Sequence, residues 1–243
     1  MYTLFRKEVS TFLSSLIGYV VIAVFLLITG LFIWVFPMDF NVIRSGYASL
    51  DGLFMLAPFV FLFLIPAITM RMFSDERRAG TMELLLTKPV TDWQLVFSKF
   101  LAGALLVLLS LLPTLIYVIS VNMLSVEEVS LDWGGLIGSY IGLLFLGLAF
   151  VAVGLFSSSL TDNQIVAFLI AMFLSGFLYI GFDFIHTLDL FGKADLFIQK
   201  LGINAHYVSI SRGVIDTRDL VYFISVIALF LLITKLSLQR RKW

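Results

Sequence analysis

The sequence predicts an all-α integral membrane protein of six transmembrane helices, and three observations carry that prediction. Hydrophobic residues make up 60% of the chain and charged residues only 13%, against roughly 45–50% and 25% in an average soluble domain. Mean hydropathy is +1.06. Apolar runs longer than about 18 residues, the length a membrane-crossing helix needs, recur along the chain. In 243 residues they leave room for about six helices and no separate soluble domain, so 1–243 reads as a single transmembrane domain. Cysteine is absent, which excludes disulfides, thiolate metal sites and cysteine nucleophiles.

Residues 1–15 come first. At about 100° per residue, Tyr2, Phe5, Val9, Phe12, Leu13 and Leu16 share one face while Arg6, Lys7 and Glu8 lie elsewhere, the pattern of a helix lying in the membrane interface. The apolar run Leu16 to Phe36 is too long for a signal-peptide core of about 7–15 residues and has no small-residue cleavage site after it. It is the first predicted span. The others are 53–72, 97–123, 136–157, 165–182 and 220–238, with no Asp, Glu, Lys, Arg or His in their central portions. Pro58, Pro66 and Pro113 predict kinks in the second and third spans, tolerated where a neighbouring helix or a hydroxyl satisfies the freed carbonyl.

Packing is legible in the small residues. Gly134, Gly138 and Gly142 recur every four residues in the fourth span, with Gly147 and Gly154 on the opposite side, so two packing partners are expected. Ala167, Ala171 and Ser175 repeat the spacing in the fifth, which makes the fourth and fifth spans expected neighbours. Whether the glycine row packs within the chain or between subunits is open at this point.

Charge sets the expected orientation. Eleven of the sixteen basic residues, among them Lys7, Arg71, Arg77, Arg78 and Lys99, fall at the termini and in the even-numbered connections, whereas the opposite connections hold ten of the sixteen acids. The excess of Lys and Arg marks the cytoplasmic side, so both termini and the segment 74–93 are expected in the cytosol. On the other side, 183–219 is too apolar for a free loop and too charged for a seventh span, which predicts a re-entrant or interfacial pair of short helices. It either lines an exit or caps the bundle.

The segment 74–93 interrupts the apolar sequence with local order. Asp75 to Arg78 continue the second span into water, and Ala79-Gly80 ends it. Thr81 is placed to cap a short helix with Glu83 in its first turn and an apolar Met82, Leu84, Leu85, Leu86 surface, stopped by Pro89. Thr91 and Gln94 have the spacing of a capping box that starts the third span. A short amphipathic helix held between two spans suits docking to a soluble partner, and it equally suits resting on membrane lipid.

The run E-R-R-x-G-T-x-E-L-L-L-T-x-P-V followed by L-V-x-x-K, from Glu76 to Lys99, resembles the first cytoplasmic loop of ABC-2 type transporter permeases. The six-span layout, the N-terminal amphipathic helix and the long connection before the last span are similar to that family as well. Within it, the whole chain most resembles the permeases associated with gliding motility in Bacteroidota-type bacteria. The resemblance implies a membrane subunit that binds no cofactor and couples export across the inner membrane to ATP bound by a separate cytosolic ABC ATPase subunit. It also implies pairing with a second permease copy or a homologous permease, with lipid around the spans and no nucleic-acid partner. Carried onto matching positions, Glu76, Arg77, Gly80, Thr81, Glu83, Leu85 and Pro89 would form the ATPase contact, with Asp162 in a second, shorter one.

No G-x-x-x-x-G-K-[ST] occurs, so the chain has no phosphate-cradling loop of its own, and an ATPase activity is not expected of it. His186 and His206 stand outside any H-E-x-x-H or nucleophile pattern and are expected to hydrogen-bond locally. Two other functions compete: a non-transporting membrane scaffold of a motility or secretion machine, and an ion-coupled carrier. The uncharged spans weigh against the carrier, which would place ionisable groups at membrane depth.

Overall fold

The computed structural model describes residues 1–81, 91–125, 131–188, 192, 195–214 and 216–239. Among them every regular element is helical and none is a strand. Six helices are long and apolar enough to cross a membrane: Leu16–Val35, Asp51–Arg78, Asp92–Leu124, Trp133–Leu160, Gln164–Thr187 and Thr217–Gln239. Several run past the hydropathy windows because polar caps lie beyond the apolar core. The Thr91 and Gln94 capping box is present in both directions and starts the third span five residues before its apolar stretch. Asp132 accepts from the Gly135 amide at 3.1 Å, and Asn163 from the Ile165 amide at 3.0 Å, to start the fourth and fifth spans.

The fourth span is the axis of the bundle. Leu143, Leu146, Ala149, Phe150, Ala152, Val153 and Leu155 are fully buried, and the second, third, fifth and sixth spans all pack on it. Its glycines decide how closely. A Cβ on Gly154 would lie 2.0 Å from Thr69 Oγ1, and one on Gly147 would lie 2.6 Å from Val107, so this side receives the second and third spans. On the other side a Cβ at Gly138 would lie 2.4 Å from the Ile210 carbonyl, and Gly142 faces the Tyr207 ring. Gly134 is lapped by the backbone of Gly213. The glycine row thus packs within this chain, against the connection between the fifth and sixth spans. Ala167, Ala171 and Ser175 are fully buried on the fifth span, which lies beside the fourth. Close backbone approach of this kind is the main attraction available to helices in lipid.

Among the described residues, the connection between the fifth and sixth spans holds two short helices, Asp195–Gln199 and Ile203–Ser211. Ile203, Tyr207 and Ile210 bury one face of the second against the fourth span. His206 does bond locally: Nδ1 is 2.6 Å from Asp219, Nε2 is 2.8 Å from the Lys200 carbonyl, and the ring stacks on Tyr222. The prolines act in two ways. Pro113 sits in a tight 3-10 turn, Leu112–Thr114, where the Thr114 hydroxyl donates to the Leu111 carbonyl at 2.6 Å. Pro58 stays inside a continuous helix.

Candidate functional site

The segment 74–93 is entered and left by two helices whose facing sides carry charge. The second span passes through Met70 into Arg71–Arg78, and the third opens at Asp92. Lys99 stands in the third turn of the latter with a side chain only 1% exposed, and an unpaired ammonium at that depth would cost several kcal/mol. Two carboxylates meet it: Glu76 at 2.9 Å and Glu8 at 3.2 Å. Lys7 reaches the same two carboxylates from the solvent side, at 3.3 and 3.4 Å, and the Lys99 ammonium lies 5.1 Å from the Phe73 ring centre. The N-terminal helix Tyr2–Ser14 is thereby locked to both ends of the loop.

This arrangement departs from the amphipathic pattern at one charged position. Glu8 is the buried residue of the N-terminal helix; Phe5, Val9 and Phe12 are half-buried, whereas Tyr2 and Leu13 are exposed. The helix turns Glu8 toward the protein, beside the half-buried Leu4, Phe5, Val9 and Phe12, because Lys99 demands a partner there, while Arg6, Lys7, Ser10 and Thr11 stay exposed.

Further hydrogen bonds fix the loop's base. The Phe73 amide donates to Ser158 Oγ at 2.8 Å, and Ser74 Oγ donates to the Ser158 carbonyl at 3.3 Å, tying the end of the second span to the fourth. Gln164 Nε2 donates to Asp75 Oδ1, which brings in the fifth. Gln239 donates to Asp92 at 3.3 Å, and Lys235 lies over the Trp93 ring at 5.0 Å, which brings in the sixth. All six spans or their leading helices therefore touch the base of one short segment.

The expected contact residues separate into four groups. Glu76 turns its carboxylate inward onto Lys99 and Lys7, so its geometry is that of an anchor. Arg77 is half-buried, whereas Gly80 and Thr81 are exposed. Gly80 has φ +68°, a left-handed conformation that ends the preceding helix at little cost only for glycine. The Thr81 hydroxyl donates back to the Glu76 carbonyl at 3.2 Å, where the ending helix leaves acceptors free, and the amides that a Thr81 cap would satisfy lie outside the described residues. Glu83, Leu85 and Pro89 lie outside the described residues. On the second connection the fourth span continues to Leu160, so only Thr161 to Asn163 separate it from the fifth, and Asp162 there is exposed.

At the opposite end of the bundle a cavity of about 750 Å³ opens between the second and fifth spans and the helix Ile203–Ser211. Phe54, Met55, Phe59, Tyr179 and Tyr207 give it an apolar wall, and Asp51 and Asn204 supply polar groups.

The sequence did not point to Lys99 as the centre of a buried cluster. A lysine near the start of a span reads as a flanking cation; the available signal was its place among Val96, Phe100 and Gly103, all on the inward side of the helix.

Fold and site together define a polytopic α-helical membrane subunit in which buried ion pairs and hydrogen bonds clamp the helices that flank the segment 74–93 at one end of the bundle. A family model described as ABC-2 family transporter protein matches residues 36–202, and the chain belongs to that family. It is the membrane-spanning permease component of an ABC transporter, the part that pairs with a cytosolic ATPase subunit and is not itself the ATPase. No curated protein gives a significant match to the chain.

Proposed function

We propose that this permease drives export across the bacterial inner membrane, works as a pair with a second copy or a homologous permease, and serves gliding motility. Both termini and the loop 74–93 face the cytosol, in keeping with the excess of basic residues on that side. Arg77, Gly80, Thr81, Glu83, Leu85 and Pro89 form the surface that the ATPase subunit engages, and Asp162 adds a second, smaller contact. ATP is bound by the partner, and this chain holds no cofactor. The cavity beside Ile203–Ser211 is the exit side of the export path. The assignment to gliding rests on the whole-chain resemblance alone.

The observation that carries the reading is the clamp at the base of the loop. A force applied to the loop of a loosely tethered bundle would be lost in bending. Here Glu76 and Lys99 join its two ends at 2.9 Å, Glu8 adds the N-terminal helix, and Ser158 adds the fourth span. Displacing the loop therefore displaces the bundle, and closure of an ATPase dimer would rock two such bundles about their shared interface. Purification of the full-length chain from native membranes in mild detergent tests the partnership. A nucleotide-binding subunit is expected to co-purify in equal amount, and a folded preparation devoid of one contradicts the proposal.

A further inference from the structure

One pocket lies beside the clamp and is not used by it. It has a volume of about 260 Å³ and sits between the N-terminal helix, the start of the first span and the end of the second. Its lining is divided. Phe12, Ile17 and Ile68 form an apolar wall, while Arg71 and Asp75 stand at the polar rim with the clamp residues behind them.

The charges in this pocket are unevenly satisfied. Lys7, Glu8, Glu76 and Lys99 neutralise one another within the clamp. Arg71 has no ion pair or hydrogen bond from its side chain among the described residues, and it is exposed. Asp75 accepts from the neutral Gln164 amide, which leaves its negative charge uncompensated. The two are four residues apart on one helix, the spacing at which an Arg and an Asp ordinarily pair, with Cβ atoms about 5–6 Å apart. They do not pair here. The pocket therefore offers a cation and an anion side by side, next to an apolar wall, at the level of the interface helix.

We propose that this pocket binds one phospholipid with a primary-ammonium headgroup, of the phosphatidylethanolamine class. The phosphate accepts from the Arg71 guanidinium, the ammonium donates to the Asp75 carboxylate, and the upper acyl chain lies on Phe12, Ile17 and Ile68. A phosphatidylglycerol would satisfy Arg71 and leave Asp75 uncompensated. A phosphatidylcholine has no N–H to donate and carries three methyl groups where Asp75 needs a donor. The bound lipid would wedge the N-terminal helix against the second span and so form part of the clamp's outer wall. The inference requires only that the chain spans a membrane, and it is independent of the exported substrate.

The test is native mass spectrometry of the full-length chain after reconstitution in nanodiscs of equal parts phosphatidylethanolamine, phosphatidylglycerol and phosphatidylcholine, then release into mild detergent. The wild type is expected to retain one phosphatidylethanolamine in preference to phosphatidylcholine by about fivefold or more, the scale of one charge-assisted hydrogen bond. Asp75→Asn should abolish that preference while leaving phosphatidylglycerol retention unchanged. Arg71→Ala should lower retention of both phosphatidylethanolamine and phosphatidylglycerol, and Arg71→Lys should restore most of it. Should Arg71→Ala fail to fold, the isosteric Asp75→Asn arm decides alone. Equal retention of phosphatidylethanolamine and phosphatidylcholine by the wild type, or an unchanged preference in Asp75→Asn, overturns the proposal. Displacement of the lipid by soluble glycerophosphoethanolamine at millimolar concentration also overturns it, since the site would then be one for a free headgroup.

Discussion

The Tyr207 hydroxyl donates to the Phe54 carbonyl at 2.7 Å. Phe54 is the residue four before Pro58, whose missing N–H leaves that carbonyl without its helical partner. Burial pushes the Tyr207 hydroxyl well above its ordinary pKa, so it stays protonated and available as a donor. Tyr207→Phe should therefore destabilise the protein by about 1–2 kcal/mol while preserving the packing of the ring. In a Pro58→Ala background the backbone regains its own donor, and the same substitution should cost markedly less. A double-mutant cycle on thermal unfolding in detergent measures the difference; equal losses in both backgrounds would refute the link.

Glycine packing on the fourth span yields a second prediction. At Gly138 an added methyl would meet a backbone oxygen at 2.4 Å, which cannot step aside as a side-chain tip can. Gly138→Ala is expected to cost about 1–3 kcal/mol, the usual range for overpacking. At Gly176 an added Cβ meets nothing within 4 Å, and alanine there improves helix propensity. Melting temperatures of the two variants should thus move in opposite directions.

Removing Lys99 tests the clamp as a structure. Lys99→Met takes the buried cation from between Glu8 and Glu76 and leaves them only the half-exposed Lys7, and breaking a buried pair in this way costs about 3–5 kcal/mol. Adding Glu8→Gln and Glu76→Gln to Lys99→Met removes the orphaned charges, so the triple variant should be more stable than the single one. If the triple variant is the less stable, the three groups do not act as one unit.

The pH dependence of Lys7 follows from its partners. Partial burial pulls its pKa down, but Glu8 and Glu76 more than offset this and the net shift is upward from 10.5. A raised lysine pKa contributes stability that is fully present below the ordinary value and is lost as pH rises through the folded-state value. The stability difference between wild type and Lys7→Gln should therefore be flat across neutral pH and shrink only in alkaline solution. Because Lys7 is about half exposed, added salt should reduce it as well.

What the sequence revealed was what short-range chemistry controls. Hydropathy located six spans because nothing else makes runs of that length, and Thr91 with Gln94 announced the third helix because both halves of the capping box lie within one turn. Gly80 announced the helix end for the same reason. The clamp stayed hidden because Glu8 and Lys99 are 91 residues apart, and Tyr207 and Phe54 are 153 apart. The amphipathic pattern of residues 1–15 predicted a helix but did not reveal that Glu8, alone among its charges, is buried against the protein, since periodicity reports a face and not which single side chain finds a distant partner.

Clamped as they are, the base of the loop and the bundle should move as one body. The absence of cysteine makes paired labelling clean. Spin labels at Arg78, exposed beside the loop, and Met123, exposed at the far end of the third span, report the distance between them in one chain when labelled chains are diluted into unlabelled ones. Between the nucleotide-free and ATP-bound complexes that intrachain distance should stay constant. A shift of several ångströms on ATP binding would show that the loop moves independently of the bundle, and would contradict the account.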